Sequence, residues 1–167
     1  MKEGKISKNP AAGVTMPKLP AGRVRYLQPT ELQAVLEYCP PWIRPVVRLA
    51  VATGMRRGEI LGLRWLDVDL LQRQVNLPQT KNGKGRTVYL NEMAMDVFRS
   101  LALDADTQAD EPVFALDVTP EEVSMCFMRA CRKAGISDFR FHDLRHTQAT
   151  WLRQSGVQLD EIAKHRA

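Results

Sequence analysis

Most apolar positions of the chain recur at helical spacing, and one short stretch alternates instead. From about Trp42, Val46, Val47, Leu49, Ala50 and Val51 make a segment apolar around much of its circumference, with Gly54 where a left-handed C-terminal cap falls. This pattern predicts a buried central helix. Before it, Thr30 followed by Gln33 has capping-box spacing and predicts a helix to about Tyr38, ended by Pro40 and Pro41. After it, a short helix is predicted from Arg57 to about Leu63, with Asp67 and Asp69 marking the exit. Asn91 caps a helix through about Leu101. Thr119-Pro120-Glu121-Glu122 combines a cap, a proline at the first helical position and a glutamate at the third, opening a helix that Gly135 stops. A further helix is predicted from near His142 to Ser155-Gly156, and a last one from Leu159.

Between residues 73 and 90 the period changes. Val75 and Leu77, then Thr87, Val88 and Leu90, read as two short strands around Thr80-Lys81-Asn82-Gly83-Lys84-Gly85, and Asn-Gly is a strong hairpin signal. The predicted fold class is therefore mainly α with a small antiparallel β-ribbon, an α+β arrangement. A length of 167 residues suits one domain, and 44% hydrophobic with 26% charged residues supplies a single core. Residues 1–25, with Pro10, Pro17 and Pro20 and few large apolar side chains, read as a basic linker or arm ahead of a domain at 26–167.

The net charge of +5 changes meaning once it is placed along the chain. Lys2, Lys5, Lys8, Lys18, Arg23 and Arg25 face only Glu3 in the arm, so the remaining residues sum to neutrality. The basic balance alone does not argue for a nucleic-acid-binding fold. It hides a polarity, since residues 72–86 carry only bases (Arg73, Lys81, Lys84, Arg86) and residues 104–122 only acids. No apolar run approaches a membrane span, and the stretch from Val46 to Ala52 is broken by Arg48. The N-terminus has lysines but no apolar signal core, so a cytoplasmic location is expected. Cys39, Cys126 and Cys131 lack paired spacing and read as reduced, partly buried thiols.

Four polar features stand out against this background. Thr53-Gly54-Met55-Arg56-Arg57-Gly58-Glu59 puts two arginines at the end of the buried helix, where an unpartnered charge is costly, and Glu59 lies three residues after Arg56 on the same helical face. Lys81 stands at the tip of the hairpin. In His142-Asp143-Leu144-Arg145-His146, His142 and Arg145 are placed to point from one first helical turn toward a shared target, where free backbone N–H groups favour an anion. Arg56, Lys81, His142 and Arg145 together match the needs of phosphodiester chemistry. Guanidiniums grip phosphate oxygens bidentately, and an ammonium or imidazole protonates a leaving alkoxide. Singly, each has a plainer reading: Lys81 as a solvated turn lysine, His146 as a packed histidine. His142 and His146 have metal-ligand spacing but no third ligand in the sequence nearby, so no metal or cofactor is expected.

In this order the motifs resemble a known family. Ala52-Thr53-Gly54-Met55-Arg56-Arg57-Gly58-Glu59-Ile60-Leu61-Gly62-Leu63-Arg64-Trp65, Asp67-Val68-Asp69, Thr80-Lys81-Asn82-Gly83 through Arg86-Thr87-Val88, and His142-Asp143-Leu144-Arg145-His146-Thr147 are similar to the catalytic domain of tyrosine recombinases of the phage integrase type, over about Tyr26 to Leu159. Asn9-Pro10 and Arg23-Val24-Arg25-Tyr26-Leu27 resemble the linker entering that domain. The resemblance implies the mixed helical recombinase fold, double-stranded DNA and other recombinase protomers as partners, no small-molecule substrate, and site-specific recombination or integration. In it a tyrosine attacks a DNA phosphate, forms a 3′-phosphotyrosine link and is displaced by a new strand. The family's first arginine falls on Arg56, its hairpin lysine on Lys81, and its H-x-x-R pair on His142 and Arg145.

The departures matter as much. Beyond H-x-x-R the family carries a second His or Trp and then the nucleophilic tyrosine, whereas Tyr26, Tyr38 and Tyr89 are the chain's tyrosines and Lys164-His165-Arg166-Ala167 does not resemble the usual apolar-Gly-His run. The chain therefore reads as a catalytic domain lacking its C-terminal helices, with the phosphate-activating groups but not the nucleophile, and inactive alone. Arg56 and Arg145 would clamp the non-bridging oxygens, Lys81 would protonate the leaving 5′-oxygen, and His142 would assist. The alternative is a non-catalytic DNA-binding or assembly module, such as an integrase remnant in a prophage, with Lys84, Arg86, Lys18, Arg23 and Arg25 adding phosphate contacts. A bare apolar patch near Leu152 and Ile162 is expected under the missing final helices.

Overall fold

The structure, a computed structural model, describes residues 25–77, 85–103 and 108–158. The hairpin tip with Lys81 and Lys84, the arm residues Lys18 and Arg23, and the final helix predicted from Leu159, with Ile162 and His165, lie outside them. Among the described residues are six α-helices and three short strands. The helices are α1 (Pro29–Tyr38), α2 (Arg44–Thr53), α3 (Arg57–Leu61), α4 (Glu92–Leu103), α5 (Pro120–Lys133) and α6 (Leu144–Gln154). The strands are β1 (Val68–Asp69), β2 (Gln74–Leu77) and β3 (Arg86–Tyr89), antiparallel in the order β1-β2-β3. No described helix is long and apolar enough to cross a membrane.

Helix α2 is the hub, packing on α4 and α6, and every residue from Val46 to Thr53 except Arg48 is buried. Its end is fixed by Gly54, whose φ of 66° lies in the left-handed region and whose N–H donates to the Ala50 carbonyl at 2.9 Å. A Cβ there would meet Gln148 Oε1 of α6 at 2.8 Å, so that side-chain end would have to shift to admit one. Helix α5 starts on Thr119, which accepts from the Glu122 N–H at 3.2 Å while the Glu122 carboxylate accepts from the Thr119 N–H at 2.7 Å. It ends at Gly135, with φ 74°.

Two expectations are corrected. The first helix starts at Pro29, and Glu31 rather than Gln33 closes the box, accepting from the Gln28 N–H at 2.8 Å. A proline suits the first helical position because it has no N–H to leave unsatisfied, and that sets the start. The ribbon has a third strand, because Val68 and Asp69 pair with Val75 and Gln74 across a turn in which Arg73 adopts φ 53°. Val68, Val75 and Val88 thus line up across the sheet, with Val75 and Val88 buried.

The entering chain is clamped to α6. The buried Thr147 hydroxyl accepts from the Leu27 N–H at 3.1 Å, and Trp151 Nε1 donates to the Leu27 carbonyl at 2.9 Å. The backbone of Leu27 is thereby satisfied on both sides as its side chain enters the core, fully buried. Leu152 is partly buried.

Candidate functional site

The end of α2 and the start of α6 bring distant motifs together. Arg56 occupies the cap position of α3 with extended backbone, φ −70° and ψ 148°. The Glu59 carboxylate, one turn on, accepts from the Arg56 N–H at 2.7 Å and from Arg56 Nη1 at 2.8 Å. Backbone and side chain of Arg56 are therefore held by one group. Across an open cleft of about 330 Å³ stands His142, and the walls are completed by Arg57, Gly58, Ser124 and Phe141. Arg57 is tied to α5, donating to the Ser124 hydroxyl and pairing with Glu121 at 3.0 Å. Phe141 is buried against Phe127, ring centroids 5.5 Å apart, which anchors the His142 wall in the core.

His142 is exposed, in a 3₁₀ turn (Phe141–Asp143) that precedes α6 rather than in the helix's own first turn. Its ring meets His146 edge-on at 6.3 Å. The two motif residues differ in setting: His142 is exposed and lines the cleft, whereas Arg145 is buried. Arg145 is only 5% exposed and donates to the Gly54 carbonyl. Gly54 precedes Arg56 by two residues, hence by at most about 7 Å of chain. The second arginine thus braces the turn that presents the first.

Glu59 has a second partner that no local pattern announces. Arg86 of β3 pairs with its other oxygen at 2.7 Å, and the Arg86 side chain is 8% exposed. Burial opposes the charge on Glu59, but the Arg56 N–H, the Arg56 guanidinium and the Arg86 guanidinium together outweigh it and hold the carboxyl below its ordinary value. It is ionised at neutral pH. The Arg86 side chain is thus mostly withdrawn from the surface. Arg25 is likewise engaged within the fold, donating to the Ser137 carbonyl, pairing with Glu31 at 3.4 Å and lying 6.0 Å over the Phe139 ring.

Arg57, Ser124 and Phe141 received no role from the sequence. Arg57 had a signal, its place beside Arg56, but nothing in the Thr119-Pro120-Glu121-Glu122 start marks Ser124 as a cleft residue. Among the described residues no group of three or more His, Cys, Asp or Glu is placed to hold a metal. Burial pushes the Cys39 thiol up to about 11 and the Cys131 thiol up to about 12, so neither is a thiolate nucleophile at neutral pH.

Comparison with known proteins adds to this geometry. A model of the phage integrase family matches residues 25–166. The integrase of Salmonella phage P22 is 33% identical over 173 residues, covering 94% of this chain and 43% of that protein. The shufflon-specific DNA recombinase of Escherichia coli is 30% identical over 171 residues, covering 98% and 43%. Among solved structures, XerA recombinase superposes with a TM-score of 0.72 at 28% identity, over 90% of this chain and 57% of that one. A lambda integrase tetramer bound to a Holliday junction gives 0.72 at 21% identity, over 92% and 50%, a likeness of fold. The chain spans about half the length of the curated relatives it matches.

Proposed function

The chain belongs to the phage integrase family, and on that premise we propose that it supplies the phosphate-activating groups of a site-specific DNA recombinase acting in the cytoplasm on double-stranded DNA with other recombinase protomers. One observation carries the reading: Arg56 and His142, far apart in sequence, line one cleft, with Arg56 held by a carboxylate ionised at neutral pH. In this account Arg56 grips a non-bridging phosphate oxygen, and Arg145 fixes the turn beneath it and adds positive charge. Lys81 protonates the leaving 5′-oxygen, and His142 assists proton transfer. A tyrosine hydroxyl attacks phosphorus, the bond to the 5′-oxygen breaks, and a 3′-phosphotyrosine ester results.

The attacking hydroxyl comes from outside these 167 residues. The cleft is not lined by Tyr26, Tyr38 or Tyr89, and the Tyr26 hydroxyl accepts from Gln28 and Gln154 instead. A nicked suicide duplex incubated with the 167-residue chain should therefore give no covalent protein–DNA product on a denaturing gel. A product would show that one of the three tyrosines attacks and would overturn this assignment.

The same observation favours a second reading, a non-catalytic DNA-binding or assembly module. A small nucleophile separates the two. If the cleft activates a phosphate, hydrogen peroxide should cleave the strand at the bound site with the wild-type chain and not with Arg56→Ala. An intact strand in both would leave the binding module as the surviving reading.

A further inference from the structure

The two arginines on Glu59 are not equivalent. The Arg56 side chain is 39% exposed and fronts the cleft, whereas Glu59 and Arg86 are 13% and 8% exposed behind it. Both carboxylate oxygens are engaged, one by Arg56 Nη1 and the other by the Arg56 N–H and Arg86 Nη2. An Arg56–Glu59 pair alone is neutral, and at such short range the carboxylate would cancel most of the arginine's pull on an anion. A third member of opposite sign to the carboxylate returns one net positive charge to the group. Arg86 sits where that charge is withheld from solvent, opposite Leu77 at the mouth of the β2–β3 hairpin.

We propose that Arg86 is a positioning residue, the buried counter-charge that neutralises Glu59 so that Arg56 keeps its own charge for a DNA phosphate. This rests on the reading of the cleft as a phosphate site, and it assigns Arg86 a role through Glu59 in place of a direct phosphate contact. It also explains why a carboxylate is tolerated so close to an anion-binding arginine. Glu59 fixes the geometry of Arg56, and Arg86 removes the electrostatic cost of that fixing. Arg64 and Asp67 share the groove on the other side of Glu59 and stay constant in the test below.

The test is the salt dependence of duplex-DNA binding by the 167-residue chain, compared for wild type, Arg86→Met, Arg86→Lys and the double variant Arg86→Met with Glu59→Gln. Arg86→Met should weaken binding and lower the slope of log K against log salt by about 0.9, the equivalent of one phosphate contact. The double variant deletes the carboxylate whose charge Arg86 offsets and should regain the wild-type slope, and Arg86→Lys should retain it. A double variant as weak as Arg86→Met would show that Arg86 touches phosphate itself, and an Arg86→Met variant that binds like wild type would show that it does neither. A second arm needs no DNA: the Glu59 carboxyl, followed by carbon-13 NMR, should titrate at higher pH in Arg86→Met than in wild type. An unchanged midpoint overturns the proposal. Wild-type binding without salt dependence would overturn the phosphate reading itself, and the Glu59 titration would still judge the role of Arg86.

Discussion

Truncating Phe127 to alanine should lower the unfolding free energy by about 3–5 kcal/mol. Phe127 is fully buried on α5, with Phe141 and Phe139 at ring-centroid distances of 5.5 Å and 6.1 Å. The change removes a large apolar side chain from a close-packed core and breaks two ring contacts worth roughly 0.5–1.5 kcal/mol each. Phe141 precedes His142 and lines the cleft, so the cavity opens directly behind the site. Urea unfolding followed by circular dichroism measures the loss. Met128→Ala, one position along α5 on its exposed side, should stay within about 0.5 kcal/mol of wild type. A Phe127 loss as small as that of Met128 would mean that this aromatic cluster does not support the cleft.

Replacing Arg56 by alanine should give the largest single effect on DNA binding. A hydrogen bond to a charged group contributes about 1.5–3 kcal/mol, which corresponds to a dissociation constant roughly 10- to 150-fold weaker. The salt slope should fall by about 0.9. Glu59 keeps Arg86 as its counter-charge in this variant, so the loss reflects the missing Arg56 guanidinium. Arg25→Ala is the contrast, since its guanidinium is engaged with Ser137, Glu31 and Phe139 and should leave affinity within error. Fluorescence anisotropy with a labelled duplex measures both. Equal losses for the two variants would mean that binding reflects diffuse positive charge and not the cleft.

What could be read from the sequence follows the range of the interactions involved. Gly54, Gly135 and the Thr119 box act within a few residues of themselves, and each marks the helix end that the structure places there. The central burial of α2 was legible for the same reason, as a run of apolar residues in one helix. Strand β1 was not, because two residues cannot display an alternation and its pairing depends on a turn through Arg73. The start of α1 was misplaced because Thr30 offered a competing cap one residue inside the proline that governs the turn. The closeness of Arg56 to Glu59 was visible in their spacing. The partners of Arg86 and Arg25 were not, since Glu59 is 27 positions from Arg86 and Ser137 is 112 from Arg25, so local charge gives both the look of free surface arginines. The 3₁₀ turn that carries His142 was hidden likewise, because sequence does not distinguish it from the first turn of the helix that follows.

Whether the cleft between Arg56 and His142 receives a DNA phosphate can be seen in a crystal structure of the chain on a short duplex. A backbone phosphate should occupy that cleft, with a non-bridging oxygen about 2.7–2.9 Å from an Arg56 guanidinium nitrogen and Glu59 still bridging Arg56 to Arg86. A duplex seated on another face, with Arg56 and His142 left facing solvent, would contradict it.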